Sequence, residues 1–315
     1  MAFNSAILRE GATALIPEEF SLALIKKLVN ESITMGTFTR IPVSRAQVRM
    51  PVLGALPVAY FTGSDTGLKQ TTKLEWKNKY MNIEEIACIV PVPEAVIEDL
   101  RDSDGFDLWG EIEPLIATEV ARVFDAAVIF GVGAPTVWPT AVVPAAVAAG
   151  NWFQRGTAEP SHGALASDVS EVIATVEEDG FSPDYAAAAV SLKGKLRNAR
   201  NSFGDRFPEI SETQIYEAPV KYPARGEWPL GSKKPELITL ESNQFVTGIR
   251  KDIDVKILDQ AVISDGNGVI QFNLAQEDMI ALRVRFRAGW QVSNQITYDN
   301  PNEETRYAAG VLLTP

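Results

Sequence analysis

Hydrophobic and polar positions change rhythm several times along this chain, and each change marks a new element. Residues 1–16 are small and mixed, an arm without a core of its own. Pro17, followed by Glu18 and Glu19, then starts a helix: proline suits a first turn, and carboxylates suit the positive end of the dipole. Phe20, Leu24, Ile25 and Leu28 give that helix one apolar stripe up to about Asn30. From Phe38 to Tyr60 the rhythm is broken by Pro42, Pro51 and Pro57, which argue against both a helix and a central strand. Thr62–Gly67 has the composition of a turn, and beyond it Leu74, Trp76 and Tyr80 alternate with Lys73, Glu75, Lys77 and Lys79. Together these stretches predict a long β-hairpin from Phe38 to about Asn82. Two strands alone are marginal in water. Tyr60, Phe61, Trp76 and Tyr80 have no covering helix nearby in the sequence, so the hairpin must lie against the rest of the chain or another copy.

Ile83 to Val92 is a denser apolar run, which predicts a strand buried on both faces with Cys88 as a small core residue. Glu84 and Glu85 point to opposite faces of such a strand and cannot converge on a substrate. Pro93-Glu94 opens a short helix to Leu100, broken at Asp102–Gly105. Leu108, Ile112, Leu115, Ile116, Val120, Val123, Ala127 and Phe130 then trace one side of a helix closed by Gly131-Val132-Gly133. At about 1.5 Å per residue it spans more than ~30 Å, with a kink expected at Pro114.

Residues 131–163 read as irregular, Asp168–Glu178 as a capped helix, and Ala186–Leu192 as a buried strand or helix start. Lys193, Lys195, Arg197 and Arg200 form a solvated basic face, and residues 222–235 a loop. Short strands are predicted at Leu237–Leu240, Phe245–Ile249 and Ile253–Leu258, and a hairpin turn at Asp265–Gly268. In the last clear strand Ile280, Leu282, Val284 and Phe286 face one way while Arg283, Arg285 and Arg287 face the other. That arginine row is either a solvated sheet face or a set of bidentate partners for acids, including acids of another subunit. The tail beyond Asp299–Pro301 has no pattern until Val311–Leu313.

Composition narrows the chemistry. With 46% apolar and 22% charged residues, the 315-residue chain can bury a real core. Lys and Arg number 29 against 41 acids, a net charge of -12, which disfavours phosphate neutralisation along nucleic acid. The single cysteine excludes an internal disulfide framework, and the single histidine, His162 in a Gly- and Pro-flanked loop, excludes a two-histidine zinc helix. There is no apolar run of the ~18 residues a membrane span needs. Met1–Ser5 shows no signal-peptide character, so a cytoplasmic product is expected. A soluble hydrolase would need two converging acids, and no such pair is visible.

The order of parts is more telling than any one of them. An arm, a helix led by Pro17-Glu18-Glu19, a long hairpin and the run Ile86–Glu94 come first. The break Asp102-Ser103-Asp104, a long helix ending Asp125–Gly133 and the strand Leu282–Arg287 follow. From about Ile16 to Trp290 the chain resembles the major capsid proteins of tailed bacteriophages, whose fold is named after phage Hong Kong ninety-seven. The resemblance implies an α+β capsid fold. Its parts would be an N-terminal arm and helix (1–37), an extended E-loop β-hairpin (38–82), a peripheral domain with the spine helix (83–134), an axial domain (135–265), and peripheral return strands with a C-terminal tail (266–315).

By the same resemblance the protein is a shell component, not an enzyme, with no cofactor and no metal. It would assemble with itself into pentamers and hexamers around double-stranded DNA, without sequence-specific binding, in the bacterial host cytoplasm, and end in the virion. A portal protein follows as a partner; with only about 16 residues before the first helix no built-in scaffolding segment is expected, which implies a separate scaffold or none, and decoration proteins are compatible. Contact candidates between subunits are Tyr60, Phe61, Leu68, Lys69, Lys73, Trp76 and Tyr80 on the hairpin, and Arg283, Arg285 and Arg287 on the last strand. Some relatives crosslink a hairpin lysine to a neighbour's asparagine; Lys69, Lys73 and Asn294 are not marked as such a set, and no crosslink is expected. The nearest alternative of similar fold is an encapsulin-type nanocompartment shell.

Overall fold

Two sheets and one long helix between them account for most of the buried apolar surface. The computed structural model describes residues 31–61, 71–97, 108–158, 165–200, 207–223, 235–250, 254–265 and 267–315, together with Lys27, Asp205 and Trp228. The N-terminal arm, nearly all of the helix expected over 17–30, the hairpin tip with Leu68 and Lys69, the break at 102–105 and His162 lie outside the described residues.

The first sheet is built on a 14-residue strand, β14 (Met279–Val292), which pairs antiparallel with β4 (Glu84–Pro93), β10 (Phe245–Arg250) and β11 (Asp254–Leu258). β1 (Thr39–Val43) adds to β10 in parallel at the edge, where Pro42 is tolerated. The period-two pattern of β14 is realised: Leu282, Val284 and Phe286 are buried and their outward neighbours are arginines. The apolar face packs on α2 (Leu108–Asp125), through Ile116, Val120 and Phe124. Pro114 sits inside α2 without ending it, and the helix runs into a π-helical turn, Ala126–Phe130. Gly131 closes it at φ 77°, a left-handed conformation that suits a residue with no side chain.

The second sheet has the order β5-β15-β9-β6-β8-β7, with β5 at Trp152–Gln154, β6 at Tyr185–Ala188, β7 at Gln214–Ile215, β8 at Ala218–Lys221, β9 at Pro235–Leu240 and β15 at Ala309–Leu313. β9 and β15 are buried along their whole length. α3 (Val142–Ala149) joins the same core as α2, while α4 (Leu165–Glu178) and α5 (Val190–Arg197) bring Val169, Val172, Leu192 and Leu196 to a second cluster. The basic face of α5 is partly spent inside the chain: Lys195 lies 2.7 Å from Glu236 and Lys193 sits over the Tyr222 ring.

Three sequence expectations are corrected here. β4 is covered on one face only: Ile86, Cys88 and Val90 pack on the core while Ala87 and Ile89 point outward. Its outward positions are themselves apolar, which hid the alternation. Second, β10 and β11 belong to the β14 sheet although they fall within 135–265, and β15 belongs to the other sheet although it falls within 266–315. The chain crosses between sheets at the short turn Ser242–Gln244 and again through residues 293–308, and a strand pattern carries no label for the partner it meets. Third, the ribbon proper is β2 (Gln47–Ala55) with β3 (Glu75–Asn82); residues 39–43, expected in it, pair instead with β10.

Candidate assembly surface

The ribbon has two chemically different faces, fixed by its register. Val48 opposite Met81, Met50 opposite Lys79 and Val52 opposite Lys77 form the inner face. Arg49 opposite Tyr80, Pro51 opposite Asn78 and Leu53 opposite Trp76 form the outer one. The inner face is held to the body. Met81 is buried over the bare backbone of Gly248, and Val52 is buried too. At the base Trp138 Nε1 donates to the Asn82 carbonyl at 3.1 Å, and Asn82 Nδ2 donates to the Val137 carbonyl at 2.8 Å. β14 crosses so close beneath that a Cβ on Gly289 would stand 2.2 Å from the Asn82 oxygen, which only glycine avoids. Sequence reading missed a support from far along the chain: Glu303 reaches Lys77 at 2.8 Å and Lys79 at 3.2 Å.

The outer face is left open. Trp76 is 63% and Tyr80 49% exposed, and Phe61, at the last described residue before the tip, is fully exposed beside half-exposed Tyr60. Lys73 is ion-paired with Glu75 of the same chain. An aromatic-bearing ribbon face of this kind has the composition of an interface core.

The arginine row has a different fate. Arg285 is hydrogen-bonded to Asp254 and lies 3.8 Å from Glu85; Arg287 Nε reaches Glu85 at 3.0 Å, and Arg283 lies 3.8 Å from Asp254. These salt bridges run to one acid on β4 and one on β11 of the same chain. Burial pushes the Asp254 carboxyl up, but the Arg285 hydrogen bond and charge outweigh it and hold the carboxyl below the usual range.

A part-buried carboxylate organises the junction of the two sheets. Ser32 caps α1 (Ile33–Thr37) through its own hydroxyl, and Asp125, at the end of α2, accepts from the Ser32 hydroxyl, the Ile33 and Thr34 amides and the Thr34 hydroxyl. Lys221 of β8 donates to the Ser32 carbonyl at 2.7 Å. A cavity of about 210 Å³ adjoins this cluster, lined by Glu31, Glu119, Arg122 and Trp228 among others. Arg122 and Glu119 pair with each other at 2.5 Å. Cys88 has its thiol pushed up by burial and by Glu119, the opposite of an activated nucleophile. Among the described residues no three His, Cys, Asp or Glu side chains gather as metal ligands, and no helix is long and apolar enough to cross a membrane.

The model of the phage capsid family matches residues 12–198, more than half of the chain. The chain belongs to that family. A solved structure from Microbacterium phage Oxtober96 is 34% identical to this capsid protein, with a TM-score of 0.76 over 90% of this chain and 91% of that one. One from Mycobacterium phage Cain is 29% identical, with a TM-score of 0.76 over 90% of each chain. The capsid of a native GTA particle, at 15% identity, a TM-score of 0.63 and coverage of 91% and 90%, shares the fold. No curated protein matches. The capsid protein therefore has the α+β Hong Kong ninety-seven-type fold expected from the order of its parts and is a structural component of the virion of a tailed phage.

Proposed function

We propose that this capsid protein assembles into pentamers and hexamers that close an icosahedral shell around double-stranded DNA, with the ribbon lying across a neighbouring copy. One observation carries the reading: a two-stranded ribbon keeps its inner face on its own body and turns Trp76, Tyr80 and Leu53 outward. A second copy of the same chain is the occupant that covers such a face in every subunit of a closed assembly. In this reading the β14 sheet with α2 is the peripheral part, the six-stranded sheet is the axial part near capsomer centres, and the Arg283, Arg285 and Arg287 row stiffens the subunit. A portal protein and a separate scaffold join as partners, and decoration proteins are accommodated outside. A net charge of -12 keeps the packed genome from sticking to the wall.

Negative-stain electron microscopy of the purified protein tests this directly. Hollow icosahedral particles or capsomer rings are expected, and a stable monomer under all assembly conditions refutes it. Within that assay Trp76→Ala removes particles while leaving the folded subunit intact; equal loss of both would put Trp76 in its own subunit's core.

A further inference from the structure

We propose that residues 294–306 form a bracket that fixes the direction of the ribbon within a single chain, so that assembly docks a ribbon already aimed. The segment is a compact Ω-loop with tied ends. Asn294 Nδ2 donates to the Arg306 carbonyl at 2.8 Å, and Arg306 returns a bond to the Asn294 carbonyl at 3.0 Å and another to the Asn300 carbonyl at 2.7 Å. The loop stands on a fixed post. Buried Asp179 accepts from Asn300 Nδ2 at 2.6 Å and from the Tyr307 amide at 2.9 Å, and its carbonyl accepts from Thr297 Oγ1 at 2.7 Å.

From this platform two contacts reach the ribbon. Glu303 spreads its two oxygens over Lys77 and Lys79, one lysine on each side of Asn78, and Tyr298 donates to the Pro57 carbonyl at 3.2 Å. The space left between loop and ribbon, beside Val52, Ile296 and Pro301, is about 20 Å³, room for about one water. The charged groups facing Glu303 are Lys77, Lys79 and Arg306. The Lys77 hydrogen bond holds the Glu303 carboxyl below the usual range, with burial pushing the other way and Lys79 adding to Lys77. The clamp is therefore present above the ordinary Glu value of about 4.3 and lost as pH falls through the lowered one. Half-exposed pairs are also screened, so high salt loosens it.

The consequence for assembly rests on the shell reading above; the bracket itself does not. Hydrogen exchange on the subunit-sized fraction of the full chain separates the two. In the wild type the amides of β2 and β3 should be protected; exchange at the rate of an unprotected chain overturns the bracket. E303Q should speed ribbon exchange about fivefold while β4 and β14 stay as they were. K77E/K79E should do the same, and K77E/K79E/E303K should return exchange to within about twofold of wild type. No increase in E303Q, or no recovery in the charge swap, overturns the proposal. Normal shells from Trp76→Ala would sink the shell-contact reading and leave the bracket standing.

Discussion

Asp125 and Ser32 are 93 residues apart in the chain and meet at 2.6 Å, the end of one helix capping the start of another. Removing the carboxylate strands the donors of Ser32, Ile33 and Thr34 at the junction of the two sheets. Asp125→Ala should lower subunit stability by about 2–4 kcal/mol, and Asp125→Asn by less, because one acceptor oxygen survives. Urea unfolding of the subunit measures both.

The same residue makes a pH prediction. Burial raises the Asp125 carboxyl above its usual range, outweighing the donors around it. A raised carboxyl binds its proton more tightly in the folded state. Its contribution is then full below the ordinary value of about 3.9 and fades as pH rises through the raised one. The deficit of Asp125→Asn, which does not titrate, should be largest in acid and shrink toward neutrality. A deficit that grows toward neutrality contradicts the direction.

Two tryptophans should behave oppositely. Trp290 is fully buried in the core, and Trp290→Ala should destabilise the subunit by about 3–5 kcal/mol. Trp76 is mostly exposed, and its removal should change unfolding by less than about 1 kcal/mol while particle yield collapses. Parallel denaturation and sedimentation of the two variants check the contrast.

Gly289→Ala forces a methyl against the Asn82 carbonyl and the Ile83 side chain. Overpacking there should cost about 1–3 kcal/mol, and the ribbon base should feel it first. A lowered melting temperature with faster exchange at Asn82 and Ile83 is the expected signature; a neutral variant shows that the crossing can relax.

At Asp254 the sign is reversed from Asp125. Its lowered carboxyl supports stability above the ordinary value of about 3.9 and withdraws it as pH falls further. The pair with Arg285 is partly exposed, so the effect should stay within about 1 kcal/mol and weaken in salt. Melting curves of Asp254→Asn at low and high ionic strength give the test.

Local rhythm carried much of this fold and little of its cross-connections. The alternation of Leu282, Val284 and Phe286 with three arginines marked β14, and the stripe from Leu108 to Phe130 marked the long helix with its glycine end. Those signals are periodic and need no partner to be read. In β4, Ala87 and Ile89 are apolar yet face outward, so its pattern imitates a strand covered on both sides. The aromatics of the ribbon were visible, but the division of its faces depends on the register that sets Leu53 against Trp76 and Val52 against Lys77. Glu303 and Asp179 look like ordinary surface acids in sequence; what distinguishes them is a lysine 226 residues away and an asparagine 121 residues away. Pairings at such separations leave no spacing to read.

The position of β15 has a consequence for how the molecule is made. Residues 309–313 fill the slot between strand 152–154 and strand 235–240, both synthesised earlier. Without residues 309–313 in place, those two strands lack the pairing partner they share, and unpaired strand edges are open to any stray extended chain. Joining the two strands and removing their exposed edges are one event.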